Sequence, residues 1–90
     1  MLYQLRITNT AKKQISRLPD WARNEVRQAI RELKADPRPL GSEPLLRELT
    51  GRHKLRIDGY RIIYSIKEDD KIVVILTVRS RTRRTYLNVP

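Results

Sequence analysis

Basic residues recur at every second position along a stretch whose other residues are typical of β-strands. Residues 51–85 read GRHKLRIDGYRIIYSIKEDDKIVVILTVRSRTRRT, and Asp58-Gly59 separates two strand-forming runs. This dipeptide predicts a two-residue hairpin turn in which both residues adopt positive φ, and such a turn pairs Arg56 with Arg61. Because side chains alternate along a strand, one face of the hairpin then carries Arg52, Lys54, Arg56, Arg61, Ile63 and Ser65. Neighbouring like charges repel one another, so this face is expected to bind a polyanion.

More arginines lie at the end of a third strand-forming run and just after it, at Arg79, Arg81, Arg83 and Arg84. The face on which they lie depends on the second turn. If five residues, 67–71, form that turn, Arg79 and Arg81 share the face of Arg61, whereas a four-residue turn places them on the opposite face. Alternation alone leaves both arrangements open. Tyr86, beside the arginine cluster, is suited to stack on a nucleic-acid base.

The side chains of this stretch have the chemistry to cleave RNA without a metal ion. RNA supplies its own nucleophile, the 2′-hydroxyl, so the protein needs a base, cations for the phosphate and an acid for the leaving 5′-oxygen. Arginine suits the cationic role because its planar guanidinium donates several hydrogen bonds. A lysine among arginines, as Lys54 is, would be pushed toward its neutral form and so serve as the base. Two other functions stay open from the residues alone, namely nucleic-acid binding without catalysis and docking of an acidic peptide.

The sequence predicts neither a metal site nor a cofactor. It contains one histidine and no cysteine. The acidic trio Glu68-Asp69-Asp70 is typical of a solvated hairpin turn rather than of a metal site. His53 should point away from Lys54 by strand alternation, which favours a packing or edge role over general-base catalysis.

Size and charge limit the possible functions further. Ninety residues form a single domain, residues 1–90, with one modest core. The formal net charge of +10 and a pI near 10.7 point to nucleic acid or the ribosome, an acidic protein or an anionic membrane surface. The sequence has no apolar run long enough to span a membrane and no signal-peptide region at its start. With no cysteine, it is expected to be a cytoplasmic protein.

Hydrophobic periodicity predicts a strand and two helices in the first half of the chain. A short strand over residues 2–7 precedes a helix with a narrow apolar stripe, for which Thr8, Asn9 and Thr10 are all suitable N-caps. Pro19 ends this helix, and Asp20 is the expected N-cap of the second. The proline-rich segment 36–39 stops the second helix, so the two helices form a hairpin with a very short link.

Three strands are predicted in the second half, near residues 52–57, 60–67 and 72–79, after a connector over residues 40–50. The last strand is apolar on both faces, which is typical of a strand in the middle of a sheet. Tyr60, Tyr64 and Trp21 are predicted to pack in the core. The order of elements predicts an α+β fold in which an N-terminal strand and a two-helix hairpin pack on an antiparallel β-sheet.

The segment KLRIDGYRIIYSI, followed by DDKIVVILTVRSRTRRTY, resembles the RelE/ParE superfamily of bacterial toxin–antitoxin toxins. The likeness covers nearly the whole chain and implies the RelE-like microbial ribonuclease fold. RelE-like members cleave messenger RNA in the ribosomal A site, whereas ParE-like members share the fold but poison DNA gyrase. The resemblance therefore implies a toxin of a type II system that is neutralised by a cognate antitoxin. The acidic segment of that antitoxin is expected to cover the basic face.

The resemblance also implies roles for individual residues. By position it makes Lys54 the proton acceptor or its electrostatic partner and Arg61 the phosphate clamp. Arg81 would protonate or stabilise the leaving oxygen, and Tyr86 would stack on or orient a base. The residues expected to bind RNA are Arg52, Arg56, Arg79, Arg83 and Arg84. These roles describe a metal-independent endoribonuclease acting on messenger RNA at the ribosome, and the alternatives are a ParE-like gyrase inhibitor and a non-catalytic nucleic-acid-binding module.

Overall fold

The structure, a computed structural model, describes residues 2–45 and 51–80. These residues form two helices and five strands, joined by turns and loops. In chain order they are β1 (Gln4–Ile7), α1 (Asn9–Ser16), α2 (Asp20–Glu32), β2 (Ser42–Pro44), β3 (Arg52–Ile57), β4 (Tyr60–Lys67) and β5 (Ile72–Ser80). The strand order across the sheet is β1-β5-β4-β3-β2. The predicted α+β fold and the three main strands are confirmed.

The sheet departs from the prediction at both of its edges. β1 runs parallel to β5, so the sheet is mixed rather than antiparallel. No hairpin joins these two strands, and their relative direction is therefore not set by a turn. β2 pairs antiparallel with β3 within the stretch that was predicted to be a connector. Its three residues, Ser-Glu-Pro, have low strand propensity, and a proline is tolerated in a strand at a sheet edge such as this one.

The β3–β4 hairpin has the predicted register. Arg56 lies opposite Arg61, and the two-residue turn is formed by Asp58 and Gly59. The expectation of positive φ at both turn residues is wrong, because Asp58 has a φ of 51° whereas Gly59 is not among the residues with positive φ. Aspartate tolerates the left-handed region better than most residues, which makes this arrangement possible.

The β4–β5 hairpin combines a four-residue turn with a one-residue bulge. Lys67 pairs with Ile72, so residues 68–71 form the turn. Further along, Tyr64 pairs with Ile75 but Ile63 pairs with Thr77, which leaves Leu76 as the extra residue. A four-residue turn alone would have put Arg79 on the opposite face from Arg61. The bulge reverses the alternation, so these two arginines lie directly opposite each other.

Helix α1 begins at an N-cap that also contacts the bulge. The Thr8 side-chain oxygen accepts a hydrogen bond from the Ala11 amide at 3.1 Å and donates one to the Leu76 carbonyl at 3.0 Å. From the same helix, the Gln14 side-chain oxygen accepts a hydrogen bond from the Val78 amide at 2.7 Å. β1 pairs with β5 only as far as Ile75, so beyond that residue the backbone of β5 has no partner strand on this side. Side chains of the α1 segment hydrogen-bond to the Leu76 carbonyl and the Val78 amide in place of a strand.

Helix α2 starts one residue earlier than predicted. Pro19 occupies the N-cap position, and the prediction that Asp20 is the cap is wrong, because Asp20 is the first helical residue and its side chain caps nothing. Instead, Asp20 forms an ion pair with Arg23. Arg23 also donates to the Leu18 carbonyl at 2.8 Å and so satisfies a backbone group at the end of the preceding helix.

The core lies between the two helices and one face of the sheet. Its buried side chains are Ala11, Ile15, Val26, Ala29, Ile30, Leu33, Leu55, Ile62, Tyr64, Ile66, Val73, Ile75 and Val78. Tyr64 is fully buried and Tyr60 packs against the core, as predicted. The packing prediction for Trp21 is wrong, because this residue is 57% exposed at the start of α2 and contacts Tyr60 at its edge. Within residues 2–45 and 51–80, neither helix is long and apolar enough to cross a membrane.

Candidate functional site

The sheet surface opposite the helices is strongly cationic. Its side chains, which we call the basic face, are Arg52, Lys54, Arg56, Arg61, Ile63, Ser65, Thr77 and Arg79. The other alternating set on the same strands, which includes Leu55, Ile62, Tyr64 and Val78, is buried under the helices. The prediction that four cations of the β3–β4 hairpin share one face is therefore confirmed.

Three arginines form a row across the middle of the sheet. Arg56 on β3 lies opposite Arg61 on β4, and Arg61 lies opposite Arg79 on β5. We call these three residues the arginine row. Directly opposite side chains on adjacent strands have their Cβ atoms about 5 Å apart, so the central arginine has a like charge on each side. Such a row costs stability, but it presents a line of planar hydrogen-bond donors that suits phosphate oxygens.

Lys54 lies in the adjacent row and has an acidic partner. Glu43 on β2 is directly opposite it, and the Glu43 Oε1 atom is 3.7 Å from the Lys54 Nζ atom. The Lys54 side chain is 18% exposed, whereas that of Glu43 is 59% exposed. The prediction that Lys54 is surrounded by arginines alone is therefore incomplete. Sequence reasoning missed Glu43 because it did not predict the strand that carries this residue.

A further cation was missed at the other edge of the sheet. Arg6 on β1 pairs with Val74 on β5, and Val74 pairs with Ser65 on β4. Ser65 pairs with Arg52 on β3, so Arg6 lies in the same row across the sheet as Arg52. Leu5 and Ile7, its neighbours on β1, pack against the core, so the exposed Arg6 extends the basic face. The alternation of residues 4–7 contains this signal, but using it requires knowing that β1 joins the sheet beside β5.

His53 is on the opposite side of the sheet from Lys54, as predicted. Its ring stacks on the ring of the buried Tyr64, with centroids 5.6 Å apart. The Tyr64 hydroxyl donates a hydrogen bond to the Pro37 carbonyl at 2.6 Å, and burial raises the pKa of this phenol. These contacts support the packing role that alternation favoured for His53.

The acidic turn after β4 makes structural contacts. Glu68 forms ion pairs with Arg38 and Lys71 and accepts a hydrogen bond from the Tyr3 hydroxyl at 2.9 Å. The hydrogen bonds from Arg38 and Tyr3 lower the pKa of the Glu68 carboxyl. Across the part of the chain that the structure describes, no three acidic or histidine side chains are grouped to hold a metal ion.

An apolar groove of about 450 Å³ lies on the helix side of the molecule, away from the basic face. Apolar side chains of β1, α1 and α2 form its floor and basic side chains lie at its rim: Leu5, Ile7, Ile15 and Ile30, with Lys12, Arg27 and Arg31. The protein therefore has a second surface on which apolar contacts and positive charge occur together.

Four of the predicted site residues lie outside the described residues. Arg81, Arg83, Arg84 and Tyr86 all fall in residues 81–90. The structure therefore brings together Lys54, Arg61, Arg52, Arg56 and Arg79 from the predicted set. Their placement on one surface follows from strand register, and the roles expected for them stay predictions.

This arrangement, with helices on one side of a five-stranded sheet and a row of arginines on the other, defines a small basic α+β protein with one strongly cationic surface. A family model described as "ParE toxin of type II toxin-antitoxin system, parDE" matches residues 5–85, so the chain belongs to the RelE/ParE superfamily of toxins.

Individual relatives point to the Rel branch of the superfamily. Toxin RelG of Mycobacterium tuberculosis is 37% identical over 82 residues, which are 90% of this chain and 93% of RelG. A chain of the RelBE2 toxin–antitoxin complex from M. tuberculosis has a TM-score of 0.80 at 33% identity, covering 90% of this chain and 100% of that one. A chain of the archaeal RelE–RelB complex from Pyrococcus horikoshii has a TM-score of 0.81 at 28% identity, covering 92% and 99%. The resemblance to RelE-like toxins and the RelE-like fold are thereby confirmed, and the ParE-like alternative is not favoured.

Proposed function

We propose that this protein is the toxin of a type II toxin–antitoxin system and that it cleaves messenger RNA in the ribosomal A site. The observation that carries this proposal is the placement of Lys54 beside the arginine row on one open surface of the sheet. In the reaction the 2′-hydroxyl attacks the adjacent phosphate, so the products are a 2′,3′-cyclic phosphate (or 3′-phosphate) and a 5′-hydroxyl. The side chains present on this surface supply the charge that the reaction requires without a metal ion.

The arginine row is suited to hold the phosphate that is attacked. Its central residue, Arg61, acts as the phosphate clamp, because guanidinium groups can donate two hydrogen bonds to one phosphate. Arg56 and Arg79 on either side bind the neighbouring phosphates, as does Arg52. Arg81 protonates or stabilises the leaving oxygen and Tyr86 stacks on a base, with Arg83 and Arg84 adding positive charge.

The proposed partner is a cognate antitoxin whose acidic segment covers the basic face. Neutralising that face would block RNA, and the named structural relatives are themselves toxin–antitoxin complexes. The apolar groove offers a second contact area that does not depend on charge. We therefore expect the complex to weaken as salt rises and to retain some affinity from its apolar contacts.

Expression of the wild type beside Arg61→Ala tests this proposal, with messenger RNA 5′ ends mapped in both. We expect new ends within translated frames for the wild type and about 100-fold fewer for Arg61→Ala, because the variant lacks the cation at the phosphate. The matched control is Arg27→Ala, which removes an exposed arginine from α2 on the helix side and should leave cleavage intact.

Two other outcomes would contradict the proposal. Growth arrest without new RNA ends, accompanied by gyrase-dependent DNA breaks, would assign the protein to the ParE branch. Ribosome binding without cleavage, weakened by a similar small amount at each arginine, would leave a non-catalytic nucleic-acid-binding module.

A further inference from the structure

The end of β5 that carries Arg79 is the least supported part of the arginine row. Among the strands that the structure describes, β4 is the only one that pairs with β5 beyond Ile75, where β1 stops. The bulge at Leu76 interrupts this remaining pairing at its start. Further along, Arg79 lies directly opposite the like charge of Arg61, and repulsion between the two guanidinium groups favours movement of this end of β5 away from β4.

A side chain of helix α1 contacts this segment directly. The Gln14 side-chain oxygen accepts a hydrogen bond from the Val78 amide at 2.7 Å, although the two residues are 64 positions apart in the sequence. The orientation of the Gln14 amide is fixed by chemistry, because an N–H group requires an acceptor and only the oxygen of this side chain accepts. Gln14 is half-buried and Val78 is buried in the core, so the contact joins the helix to the strand at a protected position.

Gln14 gives the end of β5 a fixed position as well as a hydrogen-bond partner. A water molecule would also satisfy a backbone amide at a sheet edge, but it would not tie the strand to a helix. Helix α1 is itself held in place, because Ala11 and Ile15 are buried in the core. Since Val78 directly precedes Arg79, the hydrogen bond restrains the backbone one residue away from the arginine row.

We propose that Gln14 is a positioning residue for RNA binding, an inference that rests on the proposed function. By holding the Val78 amide, it keeps Arg79 in line with the other two members of the arginine row, so that the three guanidinium groups reach neighbouring phosphates together. Gln14 lies on the helix side of the sheet and acts through Arg79 rather than by contact with RNA. Without this restraint Arg79 keeps its charge but loses the alignment that two hydrogen bonds to one phosphate require.

The test measures single-turnover cleavage on ribosomes programmed with labelled messenger RNA, at increasing toxin concentration, for wild type, Gln14→Met and Gln14→Glu. Methionine has a similar length and helix propensity but only a weakly accepting sulfur, whereas glutamate keeps an accepting oxygen. We expect Gln14→Met to raise the toxin concentration at half-maximal rate by about 10-fold, which is the worth of one hydrogen bond to a charged group. The rate at saturation should stay within about twofold of wild type, because the loss is one of binding. Gln14→Glu should behave as wild type. The matched control, Gln28→Met, removes an exposed glutamine that bonds to Glu32 within α2 and should change neither quantity.

Two further measurements separate positioning from a general loss of stability. In a double-mutant cycle, Gln14→Met should have no additional effect once Arg79→Gln is present, because the residue that it positions is gone. In the free protein, hydrogen exchange of the Val78 amide should be faster in Gln14→Met than in wild type and unchanged in Gln14→Glu. All measurements are made well below the Tm of each variant.

Several results would overturn this inference while the proposed function stands. One is a half-maximal concentration for Gln14→Met equal to that of wild type, and another is an equal loss with and without Arg79→Gln, which would assign Gln14 to general stability. Failure of Gln14→Glu to preserve binding, or unchanged exchange at Val78 in Gln14→Met, would also contradict it. Absence of RNA cleavage by the wild type would overturn the proposed function and this inference together.

Discussion

Replacing Arg61 by glutamine is expected to stabilise the protein even though it removes the proposed phosphate clamp. Arg61 is the central member of the arginine row, with Arg56 directly opposite it on one strand and Arg79 on the other. Glutamine keeps part of the aliphatic stem that lies on the sheet and removes the charge. The gain in folding stability would thus arise from the same repulsion that prepares the surface for a polyanion.

The size of this gain follows from Coulomb's law. Two unit charges roughly 7 Å apart in water repel by about 0.6 kcal/mol. Arg61 has two such neighbours, so its replacement should raise the free energy of unfolding by about 1 kcal/mol at low ionic strength. For a domain of this size that corresponds to an increase in Tm of about 4–8 °C. In 1 M salt the Debye length is about 3 Å, and most of the gain should disappear.

Thermal unfolding followed by circular dichroism, in low salt and in 1 M salt, measures this effect. The matched control is Arg27→Gln on α2, which lowers the net charge of +10 by the same amount but lies outside the row. A lower Tm for Arg61→Gln in low salt would refute the reasoning. An increase that is independent of salt would refute it as well, because the row would then have no local electrostatic cost.

Three further substitutions test the packing and the turns. Tyr64→Phe should lower the free energy of unfolding by about 1–3 kcal/mol in urea titrations at pH 8, because it leaves the buried Pro37 carbonyl without its donor. The raised pKa of Tyr64 stabilises the fold below the ordinary tyrosine value of about 10, and this stabilisation is lost as pH rises beyond it, so the difference between the two proteins should narrow at pH 10.5. Gly59→Ala should stabilise by about 0.4–1 kcal/mol, since this glycine does not have positive φ and an added Cβ meets nothing within 4 Å. Gly51→Ala, at a φ of +88°, should instead destabilise by about 1–2 kcal/mol in the same titration, and equal effects at the two glycines would contradict the turn geometry.

Local signals in the sequence were sufficient to predict the β3–β4 hairpin and its register. Asp58-Gly59 between two strand-forming runs determines where the chain reverses, and the two-residue turn then determines which side chains share a face. This is why the positions of Lys54 and Arg61 could be predicted from the sequence. The same reasoning gave the wrong backbone conformation at Gly59, since a two-residue turn can form with positive φ at its first position alone.

Features that depend on distant parts of the chain were not predictable in the same way. β2 forms because a short segment without strand character lies beside the open edge of β3, and so Glu43 was missed. Arg6 joins the basic face only because β1 pairs with β5, more than sixty residues later. Trp21 has the large apolar side chain that is typical of a core residue, but its position at the start of α2 leaves it mostly exposed. In each case the neighbour that decides the outcome is distant in sequence.

The bulge at Leu76 explains how the arginine row can exist beside a well-packed core. With a four-residue turn and no bulge, alternation would carry Arg79 under the helices and bring Val78 to the surface. Burying an unpaired guanidinium costs several kcal/mol, whereas a bulge costs one ladder interaction and leaves one backbone group to be satisfied. The Thr8 hydroxyl satisfies the Leu76 carbonyl, and the same hydroxyl caps helix α1. The start of a helix in the first ten residues therefore helps to fix the register that places Arg79 opposite Arg61.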